Sequence, residues 1–420
     1  MLTQSLIVAT AVFILYRLAQ VEDRRWWIAL TASLAIVLAL VSSWLPHIGA
    51  ELWGEYPTID RRGSLLFWED GVHRRALFDF PESLSDPAQR LIGFHLGHMW
   101  VNDLLFAATG SVIWMMNLHG LLNFSLNVFC TERLLKTFEH PFESRLILAT
   151  VFGLQLHVLR DFEVTTIEKS GVYWLPLFWF ALRAVSLEGR RLWLPAVIFL
   201  LGTWYNLYWG LLMLPIAAIE VLSVWKTPAQ KRLWCSVLGC VAPGLLVAWW
   251  QSSLMASGLS LGTPEAFQSR AAMDCLQLWP LDWNRLGSWQ AMNPIVSCAG
   301  VIALVNNRKW TYLVVASICV LLALGPGPDG NTPMGILMAN VPGLWRFAKP
   351  EIWLYVPILI TIVAFPVQKH LSRLALIVWL SAVMTSPFLS KTSAHTPERL
   401  SPSWEQKVFS GSAEISSQDQ

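Results

Sequence analysis

Residues 61–81 read RRGSLLFWEDGVHRRALFDFP, a run of acids, bases, one histidine and aromatics set between two greasy stretches. A carboxylate in such a segment could act as a general base or ligate a divalent cation, and guanidinium groups could hold a phosphate. Glu69 and Asp70 lie inside the run, and Asp60 stands just before it beside Arg61 and Arg62. On a helix Asp70 would pair with Arg74 four residues on. That helix could lie flat at an interface with Trp68, Leu77 and Phe80 toward lipid. Asp60 escapes the pairing, so it is the first choice for a catalytic carboxylate, with Glu69 and Asp70 behind it.

A second polar stretch, HVLRDFEVTTIEKSG, holds Arg160, Asp161 and Glu163 together, then Glu168 and Lys169. Ionisable groups at the depth of an apolar span are costly and tend to be functional, whereas at a span end they can simply reach for water. Asp161 and Glu163 could complete a base or metal site with the acids of the first segment, and Arg160 could contact a phosphate. The strongest phosphate candidates are Arg346 and Lys349, which precede Pro350 at an expected helix start, where free N–H groups also favour an anion. His73, His95 and His98 could be ligands. His95 and His98 share a helix face in GFHLGHM, but without an acid nearby they read as core or interfacial residues. No zinc-ligand spacing, phosphate-cradling glycine loop or nucleophile elbow occurs, so no metal ligand is assigned. A divalent cation remains compatible with the carboxylates; the residues fix no cofactor.

The elements that must position these groups are apolar helices. The chain is 55% hydrophobic and 14% charged, against about 25% charged in a soluble domain, and its mean hydropathy is +0.48. Lipid is therefore the expected solvent. Crossing about 30 Å of hydrocarbon takes about 20 residues, and about twelve apolar runs approach that length by the same criterion. They centre on 3–20, 26–46, 108–130, 146–160, 171–187, 192–206, 208–225, 232–251, 293–306, 310–325, 351–367 and 373–389. Alternate gaps are short and basic, among them Arg24-Arg25, Arg190-Arg191 and Arg308-Lys309, which places them in the cytoplasm. The N-terminus, the long loops 47–107, 252–292 and 326–350, and the tail then face outside. The start lacks the basic lead of a signal peptide.

The expected fold class is thus all-α, a polytopic transmembrane bundle over 1–389 with amphipathic helices in the outer loops, followed by a polar tail, 390–420, expected to be disordered. Tryptophan pairs such as Trp26-Trp27 and Trp249-Trp250 suit headgroup level. The cysteines have no CxxC pattern and read as small core residues. A net charge of +2 with no basic run gives no sign of nucleic-acid binding.

The order of these segments resembles the GT-C superfamily of multi-spanning glycosyltransferases, in particular the YfhO-like type. The first outer loop offers Gly63-Ser64, Trp68, Ala76-Leu77 and Pro81. A span follows as NLHGLLNFSLNVFCTERLL from Asn117, then WLPLFWFALR from Trp174 and YNLYWGLL from Tyr205. A late loop carries Pro342-Gly343, Arg346 and Lys349. The resemblance covers roughly 45–370 and implies transfer of a sugar from a polyprenyl-phosphate carrier to a lipid or glycan acceptor on the outer face of a bacterial inner membrane. It departs from the family at the first-loop acid, where this chain has Ser64, and serine neither accepts a proton nor ligates a cation as a carboxylate does. A second reading is therefore a non-catalytic GT-C-like subunit of a larger membrane assembly. A transporter or lipid flippase is the third, disfavoured because the charges sit at span ends and no pair of broken helices marks an inverted repeat.

Overall fold

The computed structural model describes residues 26–40, 96–156, 158–159, 167–189, 191–256, 293–323, 331–340 and 350–385, and among them regular structure is helical throughout. In chain order the helices are α1 (Trp26–Leu40), α2 (Leu96–Thr109), α3 (Val112–Lys136), α4 (Phe142–Gly153), α5 (Ile167–Ser170), α6 (Trp174–Glu188), α7 (Leu194–Tyr205), α8 (Leu207–Ser223) and α9 (Pro228–Ala256). After these come α10 (Pro294–Asn306), α11 (Trp310–Ala323), α12 (Pro333–Asn340), a 3-10 turn (Pro350–Leu354), α13 (Tyr355–Val363) and α14 (Lys369–Thr385).

The boundaries follow local chemistry. Ser111 caps α3 by accepting from the Trp114 N–H, Asn206 caps α8 through Tyr208, and Asn293 caps α10 through Val296 ahead of Pro294. Helix α6 ends on Gly189 in the left-handed region, φ 68°. Arg191, Lys226 and Arg308 also hold positive φ, where glycine would be the relaxed residue. Each follows the C-terminus of a helix, where a cation offsets the negative pole of the dipole. These turns keep charge at the expense of backbone ease.

Most apolar runs that fall on described residues coincide with helices. Two differ. In the expected 146–160 span α4 ends at Gly153 and helix resumes at Leu156 after a break at 154–155; at Gly153 α4 packs backbone against backbone on α3, and a Cβ would meet Asn127 at 2.9 Å. In the 351–367 run, α13 occupies only Tyr355–Val363 behind the 3-10 turn. It sits hard against α10, since a side chain on Gly300 would collide with the Thr361 backbone. Part of the expected first outer loop also becomes helix α2, antiparallel to the start of α3.

Among the described residues no helix is both long and apolar enough to cross a membrane. Helices of 12 to 17 residues such as α4, α7 and α8 are about 18–26 Å long at 1.5 Å per residue, and the longer α3 dilutes its apolar residues with buried polar ones. The perimeter is nonetheless apolar: on α9, Leu238, Leu245 and Trp249 are 60%, 65% and 64% exposed. Cys130, Cys240 and Cys319 are buried as expected, whereas Cys235 and Cys298 are exposed.

Up-and-down packing gathers the basic turns at one end. There Arg183 of α6 donates to the Thr137 carbonyl (3.2 Å) and stacks on Phe138, and Glu220 of α8 accepts from Trp179 Nε1 (2.7 Å). Arg373 of α14 pairs with Glu143 (2.7 Å). In the α3–α4 turn, buried His140 donates from Nε2 to the Val363 carbonyl of α13 (3.1 Å). Burial holds its imidazole below the ordinary range; the bond to Val363 opposes this and the charge of Arg145 adds to it.

A histidine depressed in this way stabilises the fold fully above its unfolded pKa of about 6.5 and loses that contribution as pH falls through the lower folded value. The stability gap between wild type and His140→Asn, whose amide can keep the bond to Val363 without titrating, is expected to shrink from pH 7.5 to pH 5.5. Thermal unfolding at both pH values measures it, and a constant gap would mean that His140 is not held neutral.

Candidate functional site

At the end of the bundle away from the basic turns, α2, α3 and the α7–α8 junction bring together a buried polar cluster. Spacing explains half of it. His98 and Asn102 are one helical turn apart on α2, and His119, Asn123 and Asn127 recur at every fourth residue on α3, so each set lines one face. Tyr205, the last residue of α7, inserts between them. The rings of His98 and His119 stack with centroids 4.6 Å apart, and Tyr205 meets both edge-on.

The hydrogen bonds close into a cycle whose direction follows from donor and acceptor capacity. His119 Nδ1 lies 2.6 Å from Asn102 Oδ1, an acceptor, so that nitrogen carries the proton. A neutral His119 therefore accepts at Nε2 from the Tyr205 hydroxyl (2.9 Å). The Asn102 amide donates to His98 Nε2 (3.2 Å), and His98 Nδ1 donates back to the Tyr205 oxygen (3.2 Å). Four side chains thus satisfy one another with both imidazoles neutral and protonated on Nδ1. An added proton would turn an acceptor nitrogen into a donor facing another donor and open the ring.

The cluster is anchored below and beside. Asn123 donates to the Tyr205 oxygen (3.4 Å) and to Ser170 Oγ (3.0 Å). Asn127 fastens three segments at once, donating to the carbonyls of Gly153 (3.0 Å) and Ser170 (2.8 Å) and accepting from the Tyr173 N–H (2.8 Å). Tyr173 and Trp174 form an aromatic wall, with the Trp174 ring 5.7 Å from that of Tyr205. Asp103, next along α2, is also buried. The arrangement offers a dry, preorganised surface of amide, imidazole and phenol groups.

The acids chosen from sequence, Asp60, Glu69, Asp70, Asp161 and Glu163, lie outside the described residues, as do Ser64, Arg160, Arg346, Lys349, His73 and His95. The structure therefore assembles none of them into a site. In sequence, α2 follows the stretch holding Asp60, Glu69 and Asp70, and α5 follows the one holding Asp161 and Glu163. His98 is buried, as a core histidine should be. Among the described residues no group of three histidine, cysteine or acidic side chains could hold a metal ion. Asn102, His119, Asn123 and Tyr205 were missed by sequence reasoning. For Asn102, His119 and Asn123 the signal was the four-residue spacing of polar residues on an apolar helix; Tyr205 carried none. No protein family, curated protein or solved structure matches this chain.

Proposed function

We propose that the chain is a polytopic membrane protein of GT-C type that transfers a sugar from a polyprenyl-phosphate carrier on the outer face of the inner membrane. The observation that carries the membrane part is the distribution of polarity. A set of histidine and asparagine side chains is buried within the apolar interior while leucine and tryptophan side chains also stand exposed on the perimeter, a distribution that water alone does not select. In lipid, buried polar groups and an apolar rim are both favourable. The collection of basic turns at one end supports a cytoplasmic assignment for that end. The polar cluster then lies toward the outer face, the face to which the sequence assigns the loops that carry Asp60, Glu69, Asp70, Arg346 and Lys349.

A second reading, a non-catalytic GT-C-like subunit, is favoured by one observation: the His98–Asn102–His119–Tyr205 cycle is closed on itself, as a structural lock would be. Partners would then be other membrane proteins in place of a sugar carrier.

Purified protein in liposomes, supplied with a panel of polyprenyl-phosphate sugars and lipid acceptors, separates the two. On the transferase reading Asp60→Asn lowers turnover about 10²–10⁴-fold, the typical value of a general base, with Glu69→Gln and Asp70→Asn milder. Absence of transfer from every donor, with folded protein at normal levels, would overturn that reading in favour of the subunit.

A further inference from the structure

We propose that the starts of α6 and α8, together with Lys169, form a binding site for a phosphate-bearing ligand, a site that deepens the transferase reading and rests on it. The two helices pack side by side and run in the same direction, so their positive poles lie together at the end away from the basic turns. Two buried donors there have no acceptor. Trp174, the first residue of α6, has no partner for its indole Nε1–H, and Asn206, the cap of α8, has none for its side-chain Nδ2.

The orientation of Asn206 is fixed by its own cap. Oδ1 accepts from the Tyr208 N–H at 3.0 Å, which leaves the NH2 group beside it at the mouth of the helix. Asn206 is 1% exposed, so water does not satisfy that amide from the surface. A buried donor left unpaired is costly, and a bound acceptor would relieve that cost.

The charge at this point is also distinctive. Among the described residues at this end, Lys169 is the one lysine or arginine. Its ammonium group lies 5.6 Å from the ring centroid of Tyr208, two residues beyond Asn206. Two orphan N–H groups, a cation and two helix poles make a set of donors. Phosphate oxygens, which only accept at neutral pH apart from one titrating proton, are the matching chemistry. The ligand is either a lipid-borne phosphate headgroup or free phosphate, and both present the same oxygens.

Two variants isolate the site. Asn206→Asp keeps the capping oxygen, since aspartate caps as well as asparagine, but replaces the orphan donor with a negative charge. Lys169→Gln removes the cation. Protein in nanodiscs of zwitterionic lipid is titrated by calorimetry with a short-chain prenyl phosphate, the matching prenyl alcohol and inorganic phosphate. The prenyl phosphate is expected to bind at least about tenfold more tightly than the alcohol, and each variant to weaken it by at least about tenfold, the loss of roughly one charge-assisted bond. A buried carboxylate can lower stability, so the melting temperature of Asn206→Asp is read beside its affinity, and Lys169→Gln decides the outcome if Asn206→Asp melts early.

Inorganic phosphate binding as tightly as the prenyl phosphate would identify free phosphate as the ligand, and binding of the prenyl phosphate alone would identify a headgroup; either supports the site. Equal binding of alcohol and phosphate, wild-type affinity in both variants, or no binding of any phosphate probe overturns it. Failure of sugar transfer with phosphate binding intact would remove the transferase reading and leave the site standing. Transfer in wild type with unaltered binding in Asn206→Asp would do the reverse.

Discussion

Tyr205→Phe is expected to destabilise the protein by about 2–6 kcal/mol, because removing one oxygen takes the partner from two buried ring nitrogens at about 1–3 kcal/mol each. His119 Nε2 loses its donor and His98 Nδ1 loses its acceptor, while the aromatic contacts of the ring with Trp174 and Tyr173 are kept. A closed cycle makes a sharper prediction than size. Once the ring is open, a second break should cost little more, so Asn102→Leu and Tyr205→Phe combined should fall well short of their sum. Unfolding of the single and double variants in one detergent measures this. Additive effects, or a Tyr205→Phe cost below about 0.5 kcal/mol, the level of an ordinary surface change, would mean that the four groups do not act as one unit.

What the sequence made legible divides along physical lines. Helices were legible because apolar runs of span length stand out from polar gaps; the caps Ser111, Asn206, Gly189 and Asn293, which set the exact ends, went unread. The gathering of basic turns was legible because charge in short gaps does not depend on packing. Tyr205 was not, since nothing local says that a tyrosine ending α7 reaches between two histidines that lie 107 and 86 residues away in sequence. The early end of α4 was hidden for the same reason. Gly153 lies where α4 comes closest to α3, and a single strand of sequence does not show its neighbour. His119 was legible in principle. A histidine followed at four-residue intervals by Asn123 and Asn127 forms a polar stripe in an apolar run, and such a stripe has to find partners.

That stripe continues to the other end of α3, where the second large effect is expected. Glu132 is fully buried and accepts from Arg145 Nε at 2.6 Å, with Arg133 at 3.9 Å from its other oxygen. Arg145 also donates to the His140 carbonyl (3.1 Å) and lies over the Phe142 ring, so one guanidinium closes the α3–α4 turn. Glu132→Ala would leave that charge largely out of water with a carbonyl and an aromatic face for company. Breaking a buried pair from one side costs about 3–5 kcal/mol, a large share of a total that is commonly about 5–15 kcal/mol. Removing both charges is different, because a buried pair replaced by apolar groups of similar volume is often neutral. The double variant Glu132→Leu, Arg145→Met should therefore recover most of the loss, and chemical unfolding of the two singles and the double gives the coupling directly. A single-variant cost under about 1 kcal/mol would place the pair with exposed salt bridges. The consequence should reach the polar cluster too. The hairpin that Arg145 closes is the one whose far end is fastened by Asn127 to Gly153, Ser170 and Tyr173. A hairpin loosened at Glu132 is expected to raise amide hydrogen exchange at Gly153 and Tyr173, since Asn127 is about 8 Å from Glu132 along α3 and Gly153 about 12 Å from Arg145 along α4 at 1.5 Å per residue. Exchange confined to the turn would show instead that the two ends of α3 are energetically separate.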